Sequence, residues 1–211
     1  ALDYCDQTDR YPPDAQFRWT CEVSWPVREY LRTRTPEQID RLRRRVEEGR
    51  LEVTGMLLNM SEVMDESGYA SFLEPVRLFR EHGLSVSTAM QNDVNGIAWC
   101  LADYFPKIGV EYLIMGQHGH RALIPFDRPT VFWWESPAGN RVLAFRPDHY
   151  MAGNFLGVHT GRVEPVESEL LHYLSRLERS GYPLDRIAVQ HSGYPTDNSP
   201  PSIASSELAR A

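Results

Sequence analysis

The hexapeptide Gln91-Asn92-Asp93-Val94-Asn95-Gly96 sets one carboxylate among carboxamides, where an apolar run from Leu84 to Met90 gives way to a helix-forming stretch from Ile97 to Phe105. In a β/α protein this kind of junction is where reactive groups are mounted, because the carboxyl ends of parallel strands converge and short loops aim side chains inward. A carboxylate there can ligate a divalent cation, attack an electrophilic carbon, or do both, since a bound cation keeps it ionised near neutral pH. The competing use of Asp93 is structural: Asp and Asn are common just ahead of a helix, where they cap its first turn.

Other polar groups fall at equivalent places. Taken in chain order, the strand ends carry Glu22, then Asn59, Glu62, Asp65 and Glu66, then Asn92, Asp93 and Asn95, then Gln117, His118 and His120, and finally His191, Asp197 and Asn198. His118 and His120 could bind a metal on an irregular loop, but on a strand they would face opposite sides, which favours structural histidines. Glu62, Asp65 and Glu66 precede a helix, where acids complement the macrodipole. Asp197 and Asn198 sit in a long Gly/Pro loop after a strand, a setting that suits function as well as ordinary turn chemistry. Of the five tryptophans, Trp19, Trp25, Trp99, Trp133 and Trp134, some could stack on sugar rings, although a tryptophan is more often core.

The elements that must position these groups alternate. Strands are expected at 17–22, 51–58, 85–90, 109–115 and 186–191. An amphipathic stretch covers 27–31, and helices are expected from Pro36 to Gly49, at 69–82, 97–105 and 163–180, and from Pro200 onward. Thr35-Pro36-Glu37-Gln38 has the form of a helix start, with threonine as cap and proline in the first turn. Two apolar runs, Thr130 to Glu135 and Arg141 to Phe145, flank a Pro/Gly/Asn turn and predict a β-hairpin, expected to be an excursion from the main sheet. Alternating strands and helices imply a largely parallel α/β sheet, open or closed into a barrel.

Composition limits the function classes. The chain has 211 residues, 42% apolar and 24% charged, so a single domain with one sizeable core is expected over 1–211. A net charge of −7 argues against nucleic acid or an anionic membrane as partner. The basic run Arg41 to Arg45 is followed by Glu47 and Glu48, which predicts a solvated, ion-paired helix face. Cys5, Cys21 and Cys100 are odd in number with no CxxC spacing, so reduced thiols are expected and, with no signal-peptide pattern, a cytoplasmic location. Ala1-Leu2-Asp3 is not a natural initiation and the last residues read as uncapped helix, so a fragment of a longer chain is expected. A homo-oligomer is left open.

Several segments, in order, resemble the N-terminal catalytic domain of glycoside hydrolase family 38, the α-mannosidases. They are Phe17-Arg18-Trp19-Thr20-Cys21-Glu22-Val23-Ser24-Trp25, Val46 to Gly55, Asn92-Asp93-Val94-Asn95-Gly96-Ile97, Gly109-Val110-Glu111-Tyr112-Leu113, and Phe132-Trp133-Trp134-Glu135-Ser136-Pro137-Ala138-Gly139. The resemblance implies an incomplete seven-stranded β/α barrel of the glycoside hydrolase and deacetylase type, with the hairpin inserted, and one zinc ion. It implies that Asp93 is both metal ligand and nucleophile, and that Asp197, in a loop similar to the family's Gly-Asp loop, is the general acid. Glu22, Trp25, Asn59, Glu62, Asn92, His118 and His191 are the expected substrate-binding residues.

The implied activity is retaining hydrolysis of α-mannoside-like bonds in a carbohydrate substrate, assisted by a divalent metal. A non-catalytic carbohydrate-binding barrel and a metal-dependent polysaccharide deacetylase are the alternatives. The chain departs from the family pattern in places. No His-x-Asp pair precedes Asp3, the last histidine ligand would lie beyond Ala211, and Asn95 and Ile97 replace a phenylalanine and a histidine. The remaining zinc ligands are therefore expected outside this chain.

Overall fold

The computed structural model describes residues 1–59, 64–94, 96–116 and 128–211. It opens with a short helix, α1 (Leu2–Gln7), before strand β1 (Trp19–Cys21), helices α2 (Trp25–Thr33) and α3 (Pro36–Glu47), and strand β2 (Leu51–Val53). The middle of the chain forms α4 (Glu66–Leu73), α5 (Pro75–Glu81), β3 (Thr88–Asn92), α6 (Leu101–Lys107) and β4 (Tyr112–Gly116). Then come β5 (Thr130–Glu135), β6 (Arg141–Arg146), α7 (Ala152–Phe155), α8 (Val163–Arg179) and α9 (Ala204–Arg210). No helix among the described residues is long and apolar enough to cross a membrane.

Local chemistry explains where several elements begin. Thr35 accepts from the Gln38 backbone N–H while the Gln38 side chain accepts from the Thr35 N–H, a reciprocal cap that fixes the start of α3. The expected helix over 69–82 is two helices. Pro75 has no N–H to give to the preceding turn, so α4 ends at Leu73, Glu74 is the joint, and proline opens α5. The helix expected from Ile97 starts only at Leu101.

The described residues form two sheets. β1 and β2 pair in parallel, Trp19 opposite Leu51. The second sheet has the order β3-β4-β6-β5, with β3, β4 and β6 parallel and β5 antiparallel to β6. The β5–β6 hairpin forms as expected, but it is not an excursion: Leu143 to Phe145 pair with Tyr112 to Ile114, so β6 belongs to the main sheet. Among the described residues no closed barrel is detected. The strand expected over 51–58 ends at Val53, and the chain then crosses toward the other sheet, where the Gly55 N–H donates to the Thr88 carbonyl at 2.8 Å. The segment 186–191 is not a strand either. Apolar content alone does not supply a ladder partner, and this stretch is held at Gln190, whose carbonyl accepts from the Gly153 N–H at 2.8 Å.

The main core lies between these sheets and helices α2, α3, α5 and α6, with Phe17, Val53, Phe79, Leu84, Phe105, Val110 and Leu113 almost wholly buried. A second cluster of Leu156, Tyr173 and Leu177 seats α8 against the α7 region. The basic run on α3 is ion-paired as expected but not simply solvated. Arg45 is buried and binds Asp6, Asp9 and Glu48, each at 2.6 Å, so two of its acids come from α1 and the turn after it.

Candidate active site

The carboxyl ends of β1, β3, β4 and β6 gather the polar groups. Glu22 follows β1, and the Thr54 hydroxyl lies 2.7 and 2.6 Å from the carbonyls of Cys21 and Glu22, which fixes that turn. Asn59 donates its amide to the Glu22 carboxylate and, with its oxygen, accepts from the backbone N–H of Asn92 at 3.2 Å. One carboxamide thus ties the end of β1 to the last residue of β3. Asn92 is buried, and its side-chain oxygen lies 3.4 Å from the Gln190 amide nitrogen.

Asp93 continues the ladder by one more bond, its N–H donating to the Gly116 carbonyl at 2.8 Å. Its φ of 59° then turns the chain left-handed, a conformation that Asp and Asn accept more readily than most residues. The strand stops there and the Asp93 residue stands exposed. The next helix starts only at Leu101, with Cys100 at its N-cap position, so Asp93 lies too far upstream to cap it. Asp65 does cap α4, accepting from the Gly68 N–H at 2.9 Å, and that bond lowers its pKa.

Asp197 lies on the loop after Gln190. Asn154, buried on α7, organises this loop: its amide donates to the Ser192 hydroxyl and the Tyr194 carbonyl at 3.0 and 2.5 Å, and its oxygen accepts from the Ser192 N–H at 2.8 Å. Close packing also contributes, because a Cβ on Gly153 would lie 2.7 Å from that of His191. The loop brings Asp197 to Tyr150, whose hydroxyl donates to Oδ2 of Asp197 at 2.9 Å. Burial pushes the Tyr150 phenol pKa far up, and the bond to Asp197 and the charges of Asp93, Asp197 and Glu22 push it further the same way. The phenol stays protonated and is a fixed donor. Its ring stacks on His149, with centroids 4.5 Å apart.

The structure thus brings Glu22, Asn59, Asn92, Asp93 and Asp197 around Tyr150 and Gln190. His191 is half-buried beside Ser192, and Trp25, at the start of α2, is 48% exposed and held by its backbone N–H to the Leu57 carbonyl, on the segment that leads to Asn59. Glu62, His118, His120 and Asn95 lie outside the described residues. Tyr150 was not foreseen. Its signal in the sequence is its place four residues after β6, which marks a strand end of the site only because that strand lies in the main sheet.

Asp93 is the metal ligand that the family resemblance implies. Among the described residues, no three His, Cys, Asp or Glu side chains come together in a way that could hold a metal ion. The described residues alone do not supply a ligand set that fits a zinc centre.

This is a mixed α/β domain with a carboxylate-rich site at the carboxyl ends of its parallel strands. The chain belongs to the glycosyl hydrolases family 38 N-terminal domain, which it matches over residues 2–210. Its fold is similar to an alpha-mannosidase from Enterococcus faecalis V583, with a TM-score of 0.63 and 16% identity over 84% of this chain and 20% of that one. A second Enterococcus faecalis protein in glycosyl hydrolase family 38 gives a TM-score of 0.58 at 14% identity, over 93% of this chain and 21% of that one. A 4-alpha-glucanotransferase from Thermococcus litoralis gives 0.56 at 14% identity, over 90% of this chain and 28% of that one. The chain therefore spans only a fifth to about a quarter of the length of these structures. No curated protein matches it.

Proposed function

We propose that this domain, as part of an incomplete seven-stranded β/α barrel, takes part in retaining hydrolysis of α-mannoside-like glycosidic bonds, with Asp93 as nucleophile and Asp197 as acid and base. The observation that carries this is Tyr150, which binds Asp197 and feels the charge of Asp93, so two carboxylates from different loops face one small region. Family membership supports a carbohydrate substrate.

In the first step Asp93 forms a bond to the anomeric carbon as the glycosidic C–O bond breaks, and Asp197 gives its proton to the leaving oxygen. In the second step Asp197 takes a proton from water, whose oxygen attacks the same carbon and releases Asp93, restoring both groups. Retention needs the two carboxyl groups about 5 to 5.5 Å apart. Trp25 offers a ring face, and Glu22, Asn59, Asn92 and His191 offer polar contacts to sugar hydroxyls. The proposal extends to Glu62 and His118 as further contacts.

The test is to incubate the intact protein with an activated 5-fluoro-mannosyl fluoride and find the labelled residue by peptide mass spectrometry. A sugar adduct on Asp93, lost together with hydrolysis in Asp93→Asn, is the expected result. Hydrolysis that persists in Asp93→Asn would refute the assignment.

A further inference from the structure

Resting on that reading, we propose that Tyr150 is the positioning residue for the acid/base carboxylate, holding Asp197 in reach of the leaving oxygen through the phenol-to-Oδ2 hydrogen bond. Asp197 sits on a loop outside any helix or strand, between exposed Thr196 and exposed Asn198. Asn198 has a left-handed φ of 52°, so the backbone turns sharply just beyond the carboxylate. Such a side chain has several rotamers open to it, and the bond from Tyr150 selects one.

Tyr150 is suited to this because it is itself fixed. Its ring is stacked on His149, with planes 25° apart. Its Cβ packs so closely over the end of β4 that a Cβ on Gly116 would fall 2.6 Å away. Among the described residues, the charges that act on the phenol are those of Asp93 at the β3 end, Glu22 at the β1 end and Asp197 on the last loop, beside the His149 ring. All three charged ones are acids, which keep the hydroxyl proton in place as donor.

A group that acts only by positioning Asp197 matters where the leaving group needs a proton and hardly at all where it does not. The experiment compares kcat/KM of Tyr150→Phe on an alkyl α-mannoside with that on 2,4-dinitrophenyl α-mannoside, whose leaving group departs unprotonated. We expect a loss on the order of 10²-fold on the alkyl substrate. On the dinitrophenyl substrate the loss should be several-fold at most. Asp197→Asn should show the same selectivity, and the double variant should add little to it. An equal loss on both substrates would mean a structural role only and would overturn the proposal.

Labelling of Asp93 by the fluorosugar, which needs no acid, reports whether Tyr150→Phe is folded. If it is not, 4-methylphenylalanine at position 150 fills the volume of the oxygen and donates nothing, and the same comparison decides. A wild-type protein inactive on both substrates would refute the hydrolase reading and this proposal with it. An active protein without leaving-group selectivity in the variant would refute only the proposal.

Discussion

The side-chain oxygen of Asn92 occupies the space directly over Gly116, 2.0 Å from where a Cβ on that residue would sit. Asn92 is buried and its backbone N–H is held by Asn59, so it has little room to give way. Glycine at the end of β4 is thus what lets the last residue of β3 turn its carboxamide toward the site. Gly116→Ala is expected to destabilise the fold by about 1–3 kcal/mol, as overpacking does in a filled interior. It should also lower activity beyond what reduced folding explains. Thermal unfolding and kcat measured on the same sample check this, and an unchanged kcat would show that Asn92 is not part of the machinery.

Asn59 bridges two strand ends, so its replacements should separate geometry from charge. Asn59→Ala removes the donor to Glu22 and the acceptor for Asn92, and loosening both is expected to lower kcat/KM on the order of 10²-fold. Asn59→Asp should be worse. It sets a second carboxylate against Glu22, where like charges disfavour ionisation of both. The measurement is kcat/KM for the two variants at one pH. An active Asn59→Asp would mean that the Glu22 carboxylate is not held as the structure has it.

Much of this arrangement was legible in the residues. The Thr35-Pro36 start of α3, the two hairpin strands and α8 from Val163 follow from local signals, namely a cap, a turn and a 3.6-residue stripe. Asp93 was legible because a lone carboxylate broke an apolar run. What depends on partners far along the chain was not. That β6 pairs with β4 is a non-local fact, so Tyr150 was passed over. The apolar content of 186–191 gave no warning that the segment lacks a ladder partner. Nor does the helix sequence show that Arg45, besides pairing with Glu48 at the end of its own helix, reaches two acids 36 and 39 residues away on the N-terminal segment.

Arg50 is 3% exposed and fully engaged. Its Nε donates to the Phe17 carbonyl at 2.7 Å, and its two terminal nitrogens reach the Cys5 carbonyl, the Thr8 hydroxyl, Asp9 and Gln16. Arg50→Ala is expected to cost about 3–5 kcal/mol, because it leaves buried partners without a donor. Arg50→Lys should recover little of that, as one ammonium cannot span acceptors that a planar fork reaches together. Urea unfolding of both variants measures it, and a cost below about 1 kcal/mol would show that the N-terminal segment is not pinned through Arg50.

The same segment predicts a pH dependence. The Asp6 and Asp9 carboxyls titrate below the usual carboxylate range, first because each accepts a hydrogen bond from Arg45, with Arg41 and Arg50 adding to the effect. A carboxyl whose folded pKa is depressed adds stability that is fully present above its unfolded pKa, about 3.9, and is lost as pH falls through the folded value. Both side chains are nearly half exposed, so solvent screens the pairs and the effect of each is modest. Asp65 and Asp103 are also depressed, by the Gly68 N–H and by Ser136 respectively, and lose stability over the same range. The diagnostic quantity is therefore a difference. The urea midpoint of the wild-type protein should drop between pH 6 and pH 3, and that of Asp9→Asn should start lower and drop less, because its amide cannot take up the proton. Parallel drops in the two proteins would mean that Asp9 has the same pKa folded and unfolded, and that its pairing with Arg45 contributes nothing to holding α1 on α3.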